Sequence, residues 1–573
     1  MTWLVDAWRA RWRAWPWWAR WAWVSAAALG LAAGALLYWI LAWGPWAFTD
    51  SVAYVDAARG LLAGRGLVVR ESPTNWVPLA HYPPLYPLLL AGLMRLGGLS
   101  WLTAARVLDA AMYAAFVGLI AWVGIAAWPR RPWWGLGLAV VLALQPPVAQ
   151  HMSGVMTEPP FLALGLVTWT AAWAYVRTGR AGWWALAIGS AAAGLLLRYA
   201  GLFYLAALPA ALLLAPQPWR VRARRLAEAW AGLLLTYAAW NLYMRAQGNG
   251  LRFAWPTLEE IAVKAQAFVD ALPPVFWEGW LRWRPGLKMP GGTLGPWLWV
   301  AGGALAAWLL ARYARRAPRA EDAATAQAAA LAWAFGHLYA LFFFVAFLFR
   351  RPEPDFTPRV MLPWFVFALL ATGLTLAVAL DGFLARRTRL GWALAYAALA
   401  VALAVFFHRS WRMSRAFLRV LHDHGYGYTA REWQQPQTWA FLQAWPEDIP
   451  WVTNAPEPLL LWADRPAYRL AEFARPTPVR GPLGYREAVD PLHRMYISGQ
   501  AAAIYVKPEA RRARRLYGER TDEVVDMLFR RYTPCYADDL IELYYLGPRA
   551  ADLCPLGPTQ YRHPAHPASQ AWP

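Results

Sequence analysis

The chain has 573 residues, of which 59% are hydrophobic, and it combines a positive mean hydropathy with a formal net charge of +21. The apolar residues fall in blocks of roughly 16–25, the length of a bilayer-crossing helix, which excludes a single soluble domain and predicts a polytopic α-helical membrane protein. The charge does not point to nucleic acid: only three of the 55 basic residues are lysines, and the arginines are scattered between apolar blocks with no nucleic-acid motif to gather them.

At the N-terminus Arg9, Arg11, Arg13 and Arg20 precede an apolar run over 22–43. That run is too long for the core of a signal peptide and ends without a small-residue cleavage site, so it predicts an uncleaved anchor with a cytoplasmic N-terminus. Eleven spans follow from length and hydropathy: 22–43, 104–127, 133–150, 161–176, 183–197, 201–215, 226–244, 296–310, 328–349, 360–380 and 390–407. The run 84–96, about 13 residues, is short for a crossing and predicts an interfacial or re-entrant helix. With it left out, the arginine-bearing loops 129–131, 177–180, 220–225, 312–319 and 386–389 all fall on the N-terminal side, as the positive-inside rule requires. Many of the 41 tryptophans sit at block edges, where an amphipathic indole suits the headgroup layer.

The same parity places Asp50, the segment 151–158, Arg198, the loop 245–295 and the segment 350–359 on the outer face. It also puts everything after His408 outside. There the composition turns polar, with short runs at 451–454 and 503–506 that read as strands and a helix over 521–532. The expected organisation is a transmembrane domain over 1–408, with a first outer loop at 44–103, and a soluble extracytoplasmic α/β domain over 409–573. Both cysteines, Cys535 and Cys554, lie in this last domain. They are a disulfide or two free thiols, and the absence of cysteine elsewhere favours the bridge.

The candidate chemistry gathers at the outer ends of the spans. Asp50 follows the first span by six residues, and reads as a base, as a helix N-cap, or as both, since a cap fixes a carboxylate. The stretch 51–63 is an amphipathic helix along the membrane surface, and Asp56 on it reads as a solvated charge. Glu158, before Pro159 and Pro160, is either a metal ligand or a first-turn carboxylate complementing the helix dipole. His81 and His151 read as interfacial hydrogen-bonding residues, because no ligand spacing joins them. Arg198, beside Tyr199, has no flanking acid and is the stronger phosphate-binding candidate. Arg359 is a second, or else pairs with Asp355 at i,i+4. Arg350 and Arg351 either face the bundle interior as phosphate ligands or snorkel to the headgroups.

Taken in order, Asp50 in Thr49-Asp50-Ser51-Val52-Ala53-Tyr54, the string Ala57-Ala58-Arg59-Gly60-Leu61-Leu62, the string His81-Tyr82-Pro83-Pro84-Leu85-Tyr86-Pro87, Thr157-Glu158, Arg198-Tyr199 and Pro358-Arg359 resemble the lipid-linked-sugar glycosyltransferases of the GT-C fold. Within that fold the resemblance is to the bacterial family related to protein O-mannosyltransferases and aminoarabinose transferases, glycosyltransferase family 39-like. It implies about 11–13 transmembrane helices and a multi-pass protein of the cytoplasmic membrane. The implied reaction is transfer of a sugar from a polyprenyl-phosphate donor to a lipid, glycan or protein acceptor, with inversion at the anomeric carbon. Asp50 would be the general base, and Arg198, Tyr199, Arg359, His81 and Tyr82 would bind substrate or phosphate. Some relatives use a divalent metal ion, for which Glu158 would be the ligand here. Relatives often carry a second acid directly after the first Asp, where this chain has Ser51, and many carry Asp at the position of Glu158.

Two other classes share parts of this pattern. A transporter or flippase would have inverted repeats and broken central helices, and the sequence shows neither. A polysaccharide polymerase or ligase would place catalytic Arg or His in a large outer loop, and Arg252, Arg282 and Arg284 lie in 245–295.

Overall fold

The computed structural model describes residues 17–79, 82–128, 131–248, 255–280, 294–317, 319–349, 356–384, 389–469, 492, 494–517 and 532–561. The chain forms two compact units: Met1–Pro45 with Ala80–Gly425, and Trp46–Leu79 with Tyr426–Pro573.

The first unit is helical. Among the described residues, six helices are long and apolar enough to cross a membrane: Trp21–Ile40, Trp101–Ala127, Glu158–Thr178, Leu294–Ala314, Glu321–Phe349 and Leu362–Leu380. Shorter apolar helices cover Leu85–Gly97, Pro132–Ala143, Ala181–Leu195 and Tyr199–Leu214. The helices Trp219–Ala246 and Arg389–Asp423 cover the expected spans 226–244 and 390–407. The second of these does not stop at His408 but carries the polar segment on to Asp423 in one 35-residue helix. Among the six long helices, Glu158–Thr178 is the most enclosed, with 83% of its apolar window buried, so its first residue opens into protein and not into lipid.

One expected span is broken. The segment 133–150 is two helices, Pro132–Ala143 and Pro146–His151, separated at Leu144 and Gln145. The cause is Pro146: a proline disfavours helical geometry in the residue before it, and Gln145 is extended at φ −69 and ψ 131. Carbonyls freed by such a break need donors in a membrane protein. The Tyr113 hydroxyl donates to the Ala143 oxygen at 2.9 Å, and the Ser414 hydroxyl donates to the Leu144 oxygen at 2.7 Å. Beyond the second helix, residues 152–157 run in irregular backbone that is buried throughout, the condition under which such backbone is tolerated in a membrane protein.

The second unit joins the first loop to the C-terminal segment. The helix Thr49–Leu62 is followed by an antiparallel hairpin of β1 (Val68–Ser72) and β2 (Asn75–Pro78), in register Val69 to Val77 and Arg70 to Trp76. The C-terminal part is built on a five-stranded mixed sheet of β3 (Trp451–Thr453), β4 (Tyr468–Arg469), β5 (Ala502–Val506), β6 (Tyr536–Ala537) and β7 (Ile541–Tyr544), in the order β4-β3-β5-β7-β6. β5 is parallel to β3 and antiparallel to β7. All five of its residues are buried, which is why its sequence, Ala-Ala-Ile-Tyr-Val, is apolar without alternation. The Asn454 side chain extends β3 by exchanging two hydrogen bonds with the Val506 backbone, at 2.8 and 3.0 Å. The strands expected at 451–454 and 503–506 are β3 and β5, whereas 521–531 lie outside the described residues. Cys535 and Cys554 are joined in a disulfide with 4.8 Å between their Cα atoms.

Candidate active site

Three polar side chains far apart in sequence meet within the first unit. Glu158 is the first residue of its helix, and its side chain is 3% exposed. Its Oε1 accepts from Arg359 Nε at 2.6 Å and also from Arg198 Nη1. Arg198 Nη1 reaches the Thr157 hydroxyl as well, at 3.2 Å. Two guanidinium groups thus share one buried carboxylate oxygen, and ionisable groups enclosed in an apolar helical bundle are functional by default.

Each arginine stands on a short interruption between helices. Arg198 is extended, at φ −149 and ψ 137, between the helix Ala181–Leu195 and the 3-10 turn Tyr199–Phe203. The turn doubles back so closely that a Cβ on Gly201 would lie 2.6 Å from the Leu195 Cα, so only glycine fits there. Arg359 lies in the turn before the helix Leu362–Leu384. That turn is pinned on both sides of Arg359: Trp280 Nε1 donates to the Pro358 oxygen at 3.3 Å, and the Tyr339 hydroxyl donates to the Val360 oxygen at 2.6 Å. Glu158 is therefore the acid that Arg198 lacks in sequence, brought to it from 40 residues away.

Glu158 Oε2 is buried and has no hydrogen-bond partner among the described residues. As a metal ligand Glu158 is badly placed, because its other oxygen is shared by two cations. Among the described residues no group of three or more His, Cys, Asp or Glu side chains assembles that could hold a metal ion.

The other expected residues are distributed as follows. Tyr199 accepts a hydrogen bond on its hydroxyl from Trp240 Nε1 at 3.0 Å. Tyr82 is half-buried, three residues before Leu85, whose N–H donates to the Leu196 oxygen at 2.9 Å; this bond ties the start of the helix Leu85–Gly97 to the turn that leads into Arg198. His151 is buried at the end of Pro146–His151. His81 lies outside the described residues, as do Arg252, Arg282, Arg284, Arg350, Arg351 and Asp355.

Asp50 belongs to the second unit. It is half-buried in the first turn of Thr49–Leu62, where the positive end of the helix dipole favours a carboxylate. It is not the N-cap: that position falls to Phe48, and the Ser51 hydroxyl accepts the Phe48 N–H at 3.0 Å. Asp56 corrects the expectation more sharply, since it is 2% exposed and not solvated. Its Oδ2 accepts the Arg70 backbone N–H at 2.6 Å, and its Oδ1 accepts Arg70 Nε at 2.8 Å. Arg70 also bonds the Asp464 carboxylate, to which Arg59 Nη1 donates at 3.2 Å. Burial opposes the charge on Arg70, but Asp56 and Asp464 outweigh it and raise its pKa above the ordinary arginine value.

Asp109 was not singled out from the sequence. It is fully buried in the helix Trp101–Ala127, and neither carboxyl oxygen has a hydrogen-bond partner among the described residues. Its signal was legible, since it is the only acid in a long hydrophobic span.

The structure superposes on the crystal structure of ArnT from Cupriavidus metallidurans in the apo state, with a TM-score of 0.50 over 90% of this chain and 96% of that chain, at 14% identity. The chain has the GT-C fold. At that identity the likeness establishes the GT-C architecture and leaves the chemistry to be argued from residues. The Archaeoglobus fulgidus oligosaccharyltransferase, tethered with an acceptor peptide containing the NVT sequon, aligns with a TM-score of 0.49 at 12% identity, over 88% of this chain and 71% of that chain. No family model and no curated protein sequence matches the chain.

Proposed function

We propose that this GT-C protein is an inverting glycosyltransferase. It would take a sugar from a polyprenyl-phosphate donor and pass it to a lipid, glycan or protein acceptor at the outer face of the cytoplasmic membrane. The observation that carries this reading is the meeting of Arg198 and Arg359 on the buried Glu158 carboxylate, within the helical unit of a GT-C fold.

In this reading Asp50 accepts the proton of an acceptor hydroxyl as its oxygen forms a bond to the anomeric carbon. The bond from that carbon to the phosphate oxygen breaks on the opposite face. Its electron pair leaves with the polyprenyl phosphate, and the anomeric configuration inverts. The charge growing on the phosphate needs donors aimed at it before the reaction starts, and a guanidinium supplies them in a fixed fork. Glu158 orients both guanidinium groups and lowers the cost of two like charges side by side. Tyr199, Tyr82 and His81 line the substrate in the same reading.

A polymerase or ligase would use the same donor chemistry with a different acceptor, and a transporter or flippase would bind the lipid phosphate without releasing it. One experiment separates transfer from transport. The intact protein in native-lipid membranes is supplied with a panel of polyprenyl-phosphate sugars, and free polyprenyl phosphate is measured beside Asp50→Asn. Release that vanishes in the variant supports the transferase. Equal release in both removes Asp50 as the base, and binding without release favours the transporter.

A further inference from the structure

We infer that the C-terminal α/β domain is the positioning element for the candidate base: it holds the helix Thr49–Leu62 at both ends and so fixes Asp50. This rests on the reading of Asp50 as the base.

A 14-residue helix is marginal on its own in water, so something must hold this one. At its N-terminal end Ala47 forms a parallel bridge with Gly427, and Tyr428 N–H donates to the Ala47 oxygen at 2.8 Å. The next residue, Phe48, packs edge-on against Tyr426 and Tyr428 at ring separations of 5.5 and 5.9 Å, with the Arg512 guanidinium over its ring at 5.1 Å. Every one of these partners lies in the C-terminal segment.

The other end is held by charge. Arg59 donates from Nη1 to the Leu460 oxygen and from Nη2 to the Leu461 oxygen, each at 2.9 Å. These are among the last carbonyls of the helix Pro456–Trp462, the negative end of its dipole. Asp464, just beyond that helix, joins Arg59 to Arg70, and Arg70 returns to Asp56 on the Asp50 helix itself. Asp464 has φ +56, a left-handed conformation that turns the chain after the helix. Asp50 thus sits between two fixed points, with Phe48 two residues before it and Arg59 nine residues after it.

The grip matters because a general base works only within hydrogen-bond reach of the proton it takes, and a displacement of about 1 Å can cost about 100-fold in rate. A domain some 400 residues away in sequence therefore sets the rate constant without touching substrate.

The test uses the full chain in lipid nanodiscs, with undecaprenyl-phosphate hexose as donor. Asp464→Asn removes the charge while keeping a residue tolerant of the left-handed conformation, and Arg59→Met removes the carbonyl contacts. Amide hydrogen exchange over residues 49–62, turnover at saturating donor, and donor KM are measured together. The inference expects faster exchange confined to 49–62, with turnover down about 10- to 100-fold and KM little changed. Two results overturn it: unchanged exchange over 49–62, or wild-type turnover in Asp464→Asn while Asp50→Asn is inactive. An active Asp50→Asn overturns both this inference and the base assignment, so the two failures are told apart.

Discussion

Arg359 donates Nε to Glu158 Oε1 at 2.6 Å across 201 residues of sequence, and Arg198 competes for the same oxygen. The carboxylate is 3% exposed and Arg359 is 30% exposed, so the two ends of the pair differ in what their loss leaves behind.

Removing Glu158 takes away the buried carboxylate that both guanidinium groups share, whereas removing Arg359 leaves Glu158 still paired with Arg198. Glu158→Gln is expected to destabilise the helical unit by about 3–5 kcal/mol, the usual cost of breaking a buried pair from one side, and Arg359→Met by clearly less. Thermal unfolding of both variants in detergent micelles checks the order. A Glu158→Gln protein that unfolds with the wild type contradicts it.

Gly427 has φ +66, and a Cβ placed on it would lie 2.3 Å from the Ala47 oxygen. Gly427→Ala is therefore expected to combine a strained backbone with a clash at the bridge, costing about 1–3 kcal/mol. Limited proteolysis between Trp46 and Leu79 should accelerate in this variant, and a wild-type cleavage rate would show that the bridge is dispensable.

The Cys535–Cys554 bridge closes a segment with a sequence separation of 19. Constraint of the unfolded chain over a loop of that size contributes about 3 kcal/mol. Replacing both cysteines by serine should lower the unfolding transition of the C-terminal unit by that amount and leave the helical unit's transition in place, as read by calorimetry.

Burial raises the pKa of Glu509 above the ordinary glutamate value, with Arg512 opposing the shift and Glu457 and Glu432 adding to it. The folded state then binds the proton more tightly than the unfolded one, so this residue makes stability fall as pH rises from the ordinary glutamate value through the raised one. Glu509→Gln should remove that slope and raise the stability of the second unit at neutral pH. Denaturant midpoints measured from acid to neutral pH decide it; parallel curves for both proteins would mean that Glu509 is solvated in the folded state.

The sequence by itself determined the class. Hydrophobic length is read locally, because each span must satisfy its own backbone within the bilayer, so nine of the eleven expected spans fall on single α-helices, while 201–215 begins in the 3-10 turn Tyr199–Phe203 and 133–150 is broken. Local pattern also marked β3 and β5, and the ordered strings around Asp50, Glu158, Arg198 and Arg359 pointed to the GT-C fold that the superposition on ArnT bears out. The proline that broke the span 133–150 was in plain view at Pro146, but hydropathy alone passed over it.

Only the tertiary structure decided which charges meet. Arg198 looked unpaired because its acid is 40 residues away, and Asp56 looked solvated because its partner Arg70 returns on a hairpin and Asp464 arrives from the far end of the chain. Such pairings follow from packing helices and strands that are distant in sequence. No period or spacing encodes them, and the desolvation that gives these charges their strength exists only once the chain has folded around them.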